Sequence, residues 1–332
     1  MRVLVTGGAG YIGSHMVLCL LDAGIPVVVL DDFSAGFREA VPEGVPLAVG
    51  DVGDGALVRS TIREHDIDSV LHFAAFTSVP DSILRPFEYY ENNTAKTLAL
   101  AASCADAGVS NFVLSSTAAV YGEPSGPTVS EADPTAPLSP YGWSKLMAER
   151  MLTDAHAAGR INYAALRYFN VAGADVRGRA GQRTENASHL IKVACEVATG
   201  RRKSLEVFGT EFPTRDGTCI RDYVHVSDLA SAHLHLLRHL VEHQASASTP
   251  RNAPILLNCG YGRGSTVFEV IAAVEAAAGH KLNITLGPPR PGDAVEVVAE
   301  ACNIRKLLKW EPMHADLGDI VSSALNFERR RS

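Results

Sequence analysis

Three glycines, Gly7, Gly10 and Gly13, follow directly behind the apolar run Val3-Leu4-Val5. The first glycine permits a tight turn, the second lets a phosphate approach the backbone, and the third lets a helix pack closely on a strand. Ile12, Met16, Cys19 and Leu20 then recur at helical spacing, and Gly24 stands where a helix C-cap belongs. The spacing predicts strand, glycine turn and helix. Its N-terminus presents N–H groups and partial positive charge to a pyrophosphate. A second apolar strand, Val27–Leu30, ends at Asp31-Asp32. A carboxylate there accepts hydrogen bonds from a ribose diol and repels a 2′-phosphate. With no Arg or Lys in that pair, the expected cofactor is NAD rather than NADP. Asp51, ending a third strand, has two readings, a contact to the adenine amino group and a helix cap.

The same rhythm continues. Strands are expected at Leu47–Val49, Val70–Phe73, Phe112–Leu114 and Tyr163–Leu166, and helices at Ala56–Glu64, Tyr89–Ala107 and Tyr141–Ala158. Short apolar strands alternating with helices predict an α/β fold, a doubly wound parallel sheet with right-handed crossovers. Ligands in such sheets sit beyond the carboxyl ends of the strands, where every polar cluster of this half falls. After Asn170 the rhythm loosens into a smaller C-terminal α/β lobe. Helices are expected there at Ala187–Thr199, Val226–His243 and Thr266–Ala278, with Thr266 and Glu269 forming a capping box. The expected organisation is a nucleotide domain over 1–170, with 219–258 returning to it, and a substrate lobe made of 171–218 and 259–332.

Composition narrows the class. The 332 residues are 46% hydrophobic, ample for a full core, and carry a net charge of -7. That charge argues against nucleic acid and anionic membranes as partners, but not against diphosphates bound at local donors. Six scattered cysteines without a C-x-x-C pair read as buried free thiols in a reducing, cytoplasmic setting. No targeting or membrane segment is apparent. His235, His239 and His243 share a helical face, but no acid cluster supports a metal, so a solvated face is expected. Trp143 and Trp310 read as packing residues.

The chemistry is read from Tyr141 and Lys145, at the start of a helix that follows Pro140. Positions i and i+4 share a face, so the ammonium stands one turn above the phenol. A phenol titrates near ~10 and is a poor base at pH 7. A neighbouring ammonium and a positive nicotinamide ring favour the phenolate, giving a base that takes a hydroxyl proton as hydride leaves the same carbon. Ser115-Ser116-Thr117, at a strand end, offers a hydroxyl to the same oxygen.

Together these residues resemble the extended short-chain dehydrogenases. The resemblance is carried by Thr6–His15, His72-Phe73-Ala74-Ala75, Tyr89–Asn93, Ser115–Gly122, Tyr141–Lys145 and Leu166–Asn170. Asp216–Val226 and Arg290-Pro291-Gly292-Asp293 narrow it to the UDP-glucose 4-epimerases, in order and across nearly all of the chain. The resemblance implies a Rossmann-type domain with bound NAD. It implies C4 epimerisation of UDP-glucose and UDP-galactose through a transient 4-keto sugar, with Tyr141, Lys145 and Thr117 catalytic. Cofactor contacts fall on Tyr11, Ile12, Asp31, Asp51, Val52, Phe73, Ala74, Ala75, Thr77, Asn93, Thr117, Tyr141, Lys145 and Phe169. UDP-sugar contacts fall on Asn170, His189, Leu190, Phe208, Arg221, Arg290 and Asp293, beside Thr117 and Tyr141. Arg221 and Arg290 suit a diphosphate, Phe208 a uracil and Asp293 a ribose. The helices Tyr89–Ala107 and Tyr141–Ala158 resemble the pair that forms the family's homodimer interface.

The sequence departs from the family at four places. Thr77 replaces a lysine and Thr117 a serine. His189 stands where some members carry asparagine, and Val297 where some carry a tyrosine that narrows the sugar pocket. The last change is expected to admit N-acetylated hexoses. UDP-pentose or UDP-uronate epimerisation differs only in pocket residues. A 4,6-dehydratase is disfavoured, since Ala118-Ala119 stands where that reaction needs Asp-Glu. A non-catalytic NAD sensor has no use for Tyr141 and Lys145 together.

Overall fold

The computed structural model describes every residue except Ser125, Asn186, 244–252, 291–293 and Ser332. The apolar runs become strands buried along their length: β1 (Val3–Thr6), β2 (Val27–Asp31), β4 (Ser69–His72) and β5 (Asn111–Thr117). β3 (Leu47–Val49) is half-exposed. Between and after them lie α1 (Tyr11–Asp22), α2 (Gly55–Glu64), α3 (Val79–Leu84), α4 (Pro86–Tyr90), α5 (Lys96–Asp106) and α6 (Pro140–Ala157). The sheet has seven strands, in the order Ile255–Cys259, Asn162–Tyr168, β5, β4, β1, β2, β3. β1 pairs in parallel with β2 and β4, β2 with β3, and β4 with β5. The order turns back between β1 and β4, which marks a Rossmann-type sheet and sets a crevice at their carboxyl ends. Leu4, Val28, Val70, Phe112 and Leu114 pack beneath α2, α5 and α6 with Leu100, Leu152 and Tyr163.

The chain divides into two compact units. The first is Met1–Gly122, Pro134–Arg167 and Ala230–Leu257; the second is Glu123–Asp133, Tyr168–Leu229 and Asn258–Ser332. The return to the first unit thus begins at Ala230 rather than 219, and Glu123–Asp133 falls in the second. The second unit has its own sheet, ordered Gly264–Thr266, Ile220–His225, Glu296–Ala299, Thr128–Val129, with Asn170–Ala172 also paired to Ile220–His225. A separate parallel pair joins Leu205–Phe208 to Ile284–Gly287. Thr266 and Glu269 do form a capping box, and Gly279 closes that helix in the left-handed region. Asp222 lies buried in this sheet and accepts from the N–H groups of Tyr261, Gly262 and Ala299.

Four local expectations need correction. The single helix expected over Tyr89–Ala107 is α4, a wider turn at Glu91–Ala95 and then α5. Such insertions swing one side chain out of the helical register, and here Asn93 is turned into the interior. α3 was not expected; it starts where the Ser78 hydroxyl accepts from Asp81 N–H and Pro80 fixes the first turn. Trp310 is buried, but Trp143 is 41% exposed. All six cysteines are free thiols, yet Cys302 is exposed and Cys19 half-buried. The rings of His239 and His243 stack at 4.0 Å. Among the described residues no group of three or more His, Cys, Asp or Glu stands ready for a metal, and no helix is long and apolar enough to cross a membrane.

Candidate active site

The loop after β1 forms the floor of the crevice. Gly7 has φ +71, and a Cβ there would lie 2.6 Å from Ala74 N; a Cβ on Gly13 would lie 2.0 Å from Gly7 O. Both positions are therefore closed to any side chain, and α1 rides directly on the turn. Gly10 is the N-cap of α1 and puts no side-chain acceptor on its first-turn N–H groups. A diphosphate fits such an end, because the backbone and helix charge face it without competition. Tyr11 and Ile12 are the first two residues of α1, both half-buried.

Asp31 braces this loop. Its Oδ2 accepts from Ala9 N–H and its Oδ1 from Phe33 N–H, both at 2.9 Å. Burial raises its carboxyl pKa, and those two N–H groups pull the other way. Asp32 behaves differently: it is exposed and accepts from Ser34 N–H and Oγ–H, capping its own turn. Asp51 is held by Lys96 Nζ and Gly53 N–H. Burial opposes its charge, but those donors outweigh burial and lower its pKa. The cap of α2 is Asp54, so the helix-cap reading of Asp51 does not hold. Val52 is buried, and Thr77 is exposed. Phe73, Ala74 and Ala75 leave the end of β4, with the Phe73 ring 4.8 Å from that of His233.

Asn93 ties this loop to α6. Its Oδ1 accepts from Phe76 N–H at 2.8 Å, and its Nδ2 donates to Phe76 O and Ser144 Oγ. Behind it, Thr97 Oγ1 donates to Asn93 O and so accepts from His72 Nε2–H at 2.8 Å. The other ring nitrogen then accepts from Thr6 Oγ1–H. Burial, with Lys145 adding, pushes His72 down to about 3, so the ring stays neutral and fixed.

Helix α6 carries Tyr141 and Lys145. Ser139 caps it by accepting from Gly142 N–H, and Pro140 sets its first turn. Tyr141 is 6% exposed and Lys145 3%. Lys145 Nζ donates to Ser115 O of β5 at 3.0 Å. Burial pushes this ammonium down to about 8, with Glu149 opposing. On β5 the three hydroxyls divide. Ser116 Oγ–H donates to Glu149. Thr117 Oγ1 accepts from Ala119 N–H, which leaves its proton to donate. Ser115 Oγ is buried without a partner among the described residues. Glu149 is in turn gripped by Arg167, whose Nε and Nη2 reach both of its oxygens. Ser116, expected among the hydroxyls offered to the reacting oxygen, is instead spent on Glu149, and His72, Glu149 and Arg167 carry no role in the sequence reading. The available signal was Glu149, a carboxylate one turn beyond Lys145 on the same face.

In the second unit, Phe169 is buried and donates its N–H to Cys259 O. Asn170 is exposed and opens the strand paired with Tyr223. His189 is the N-cap residue before Leu190, the first residue of its helix, and its Nδ1 meets Gln182 Nε2 at 3.2 Å. Arg221 and Val297 are register partners on adjacent strands. Phe208 ends its strand, and the Arg290 guanidinium lies 5.1 Å from its ring centre. That cation–π pair sets an aromatic face and a cation side by side, as a base linked to phosphate requires. Asp293 lies outside the described residues.

Residues 3–248 match the family model described as the NAD dependent epimerase/dehydratase family. The UDP-glucose 4-epimerase of Azospirillum brasilense is 53% identical over 328 residues, covering 99% of this chain and 92% of that protein. A solved UDP-glucose 4-epimerase from Bifidobacterium longum, in complex with NAD+ and UDP, superposes with TM-score 0.91 at 35% identity, covering 99% of this chain and 98% of that one. The UDP-Glc/GlcNAc 4-epimerase of Campylobacter jejuni gives TM-score 0.84 at 41% identity, covering 99% of each chain. Similarity at this level runs through both units and nearly every residue, so the chain belongs to the NAD dependent epimerase/dehydratase family.

Proposed function

We propose that this enzyme is an NAD-dependent UDP-glucose 4-epimerase, interconverting UDP-glucose and UDP-galactose through a 4-keto sugar. The observation that carries the reading is the buried Tyr141–Lys145 turn of α6, tied by Lys145 to β5 beside Thr117. The glycine turn, the uncapped α1 and Asp31 fit NAD. The chemistry NAD supplies when bound is reversible hydride exchange at the sugar carbon. Tyr141, as phenolate, takes the 4-hydroxyl proton and later returns it. Lys145 holds that phenolate charged, and Thr117 donates to the same oxygen. Because the cofactor ends as it began, the site gains by holding it tightly. Binding energy falls on the nucleotide, leaving the hexose free to turn.

The first unit holds the cofactor, through Gly7, Gly10, Gly13, Asp31 and Asn93. The second holds the UDP-sugar, through Asn170, Leu190, Phe208, Arg221 and Arg290. Tyr141→Phe tests the assignment: turnover should vanish while NAD remains bound, and retained activity would refute the base. A panel of UDP-glucose, UDP-galactose, their N-acetyl forms and UDP-xylose, assayed without added NAD, tests substrate and cofactor together.

A second reading, that N-acetylhexosamines also turn over, is favoured by the valine at 297 and by the likeness to the UDP-Glc/GlcNAc enzyme. The expected homodimer is supported by the apolar side chains exposed on the first unit's helices, among them Leu84, Phe87, Leu98, Trp143 and Met147. Light scattering after size exclusion reads the mass. Six free thiols fit a cytoplasmic protein.

A further inference from the structure

Tyr141, Lys145 and Glu149 follow one another at i, i+4 and i+8 down the buried face of α6. A carboxylate four residues beyond a lysine lies on the same helix face and within reach of it. Here that pairing is absent: among the described residues Lys145 makes no ion pair, and its Nζ donates to Ser115 O. Glu149 is taken elsewhere. Its Oε1 accepts from Ser116 Oγ–H at 2.5 Å and from Arg167 Nε at 3.0 Å, and its Oε2 from Arg167 Nη2 at 2.6 Å. Arg167 is fixed by donating to Tyr121 OH at 3.0 Å, with its guanidinium 5.0 Å from that ring. The side chains of Arg167 and Glu149 are 6% and 3% exposed.

We propose that the Glu149–Arg167 pair is a positioning device for the Tyr141–Lys145 couple: it ties Ser116 of β5 to α6 and keeps Glu149 from capturing Lys145. The tie matters because Ser115, Ser116 and Thr117 are consecutive. Lys145 holds the first, Glu149 holds the second, and the third is thereby presented to the substrate oxygen. The neutralisation matters because the groups around Lys145 are few. His72 faces it from β4, Tyr141 and Glu149 lie on α6, and Tyr163 and Arg167 stand on the strand Asn162–Tyr168. Burial is the larger influence on Lys145; with His72 neutral, the charge that acts on it is that of Glu149, which Arg167 balances.

This rests on the epimerase reading only for its activity readout. The test compares Arg167→Met, Glu149→Gln and the double variant Glu149→Met/Arg167→Met in NAD-loaded protein. Two quantities are followed: the pH profile of kcat, and the phenol titration by ultraviolet difference absorption. Arg167→Met leaves a bare carboxylate near the couple. It should move the phenol's titration and the rising limb of the profile up by about one pH unit, roughly a tenfold loss of kcat at pH values on the rising limb, with little change in KM. Glu149→Gln leaves a bare guanidinium and should move both down by a similar amount. The double variant replaces the pair with apolar volume, a change often neutral for stability, and should return both towards the parent's position. If Arg167→Met does not fold, Glu149→Gln and the double variant carry the test. Limbs and titrations that stay in place while activity and melting temperature fall would overturn the proposal, leaving a purely structural pair. Opposite titration shifts in a protein that turns over no UDP-sugar would retire the epimerase reading and keep the positioning role.

Discussion

Lys145→Met should stabilise the NAD-free protein at neutral pH while abolishing turnover. Lys145 is 3% exposed, and burial pushes its ammonium from 10.5 down to about 8. A group depressed in the fold binds fewer protons there than in the unfolded chain between those two values. Below pH 8 the folded protein therefore carries the full penalty of a buried charge, worth about 3 kcal/mol at 1.36 kcal/mol per unit. That penalty fades as pH rises through 8 and is gone above 10.5. Methionine fills similar volume with no charge. Its stability relative to the parent should accordingly be greatest near pH 7 and shrink by up to about 3 kcal/mol towards pH 10.5. The lost hydrogen bond to Ser115 O works against the variant, but a neutral amine also donates, so this loss depends little on pH. Urea unfolding of both proteins between pH 7 and 10 reads the difference. Cofactor must be removed first, since binding to the folded state alone would add its own stabilisation. A difference that is flat with pH, or that grows with pH, refutes the reasoning.

Three further perturbations test the rest of the site. Gly13→Ala places a Cβ 2.0 Å from Gly7 O, so α1 must lift off the turn; NAD content after gel filtration should fall sharply, and full retention would show that the cradle yields. Arg290→Ala removes the cation over Phe208 and should raise KM for the UDP-sugar about tenfold with kcat nearly unchanged, the mark of a contact made equally in ground and transition states. Val297→Tyr should suppress N-acetylhexosamine turnover more than about tenfold, on the order of what a filled pocket rejects, and spare UDP-galactose; equal loss on both sugars would count against a role in selection.

The nucleotide sheet was legible because each of its signals is local. Gly7, Gly10 and Gly13 declare a turn, Val27–Leu30 a buried strand, and Asp31 its polar end. The second unit was less so. Its strands are as short as Thr128–Val129, and they gather pieces from Glu123–Asp133, Asn170–Ala172 and the last third of the chain. No periodicity within a window reports such partners. The strand Ile255–Cys259 was missed for the same reason, since only its place beside Asn162–Tyr168 makes it a sheet member.

The site is where the sequence pattern breaks, and the break is the information. A helix packed on a sheet should bury an apolar stripe and expose its polar residues. Helix α6 does part of this with Ala148 and Leu152, yet it also buries Tyr141, Ser144, Lys145, Glu149 and His156. His156 has an ordinary explanation, since its Nδ1 accepts from Tyr163 N–H. Ser144 bonds back to Tyr141 O. What remains is a phenol, an ammonium and a carboxylate on one dry face. Burying that set is unfavourable unless each charge is answered, and the fold answers them with Ser115 O, Ser116 Oγ and Arg167. The phenol and ammonium could be read as a pair because four-residue spacing is visible in one dimension. Their supports lie on β5 and on the strand Asn162–Tyr168, at distances in sequence that only the sheet closes. A helix whose buried face is charged, behind a strand whose end carries hydroxyls, is thus a pattern to look for where a glycine turn has already announced a dinucleotide.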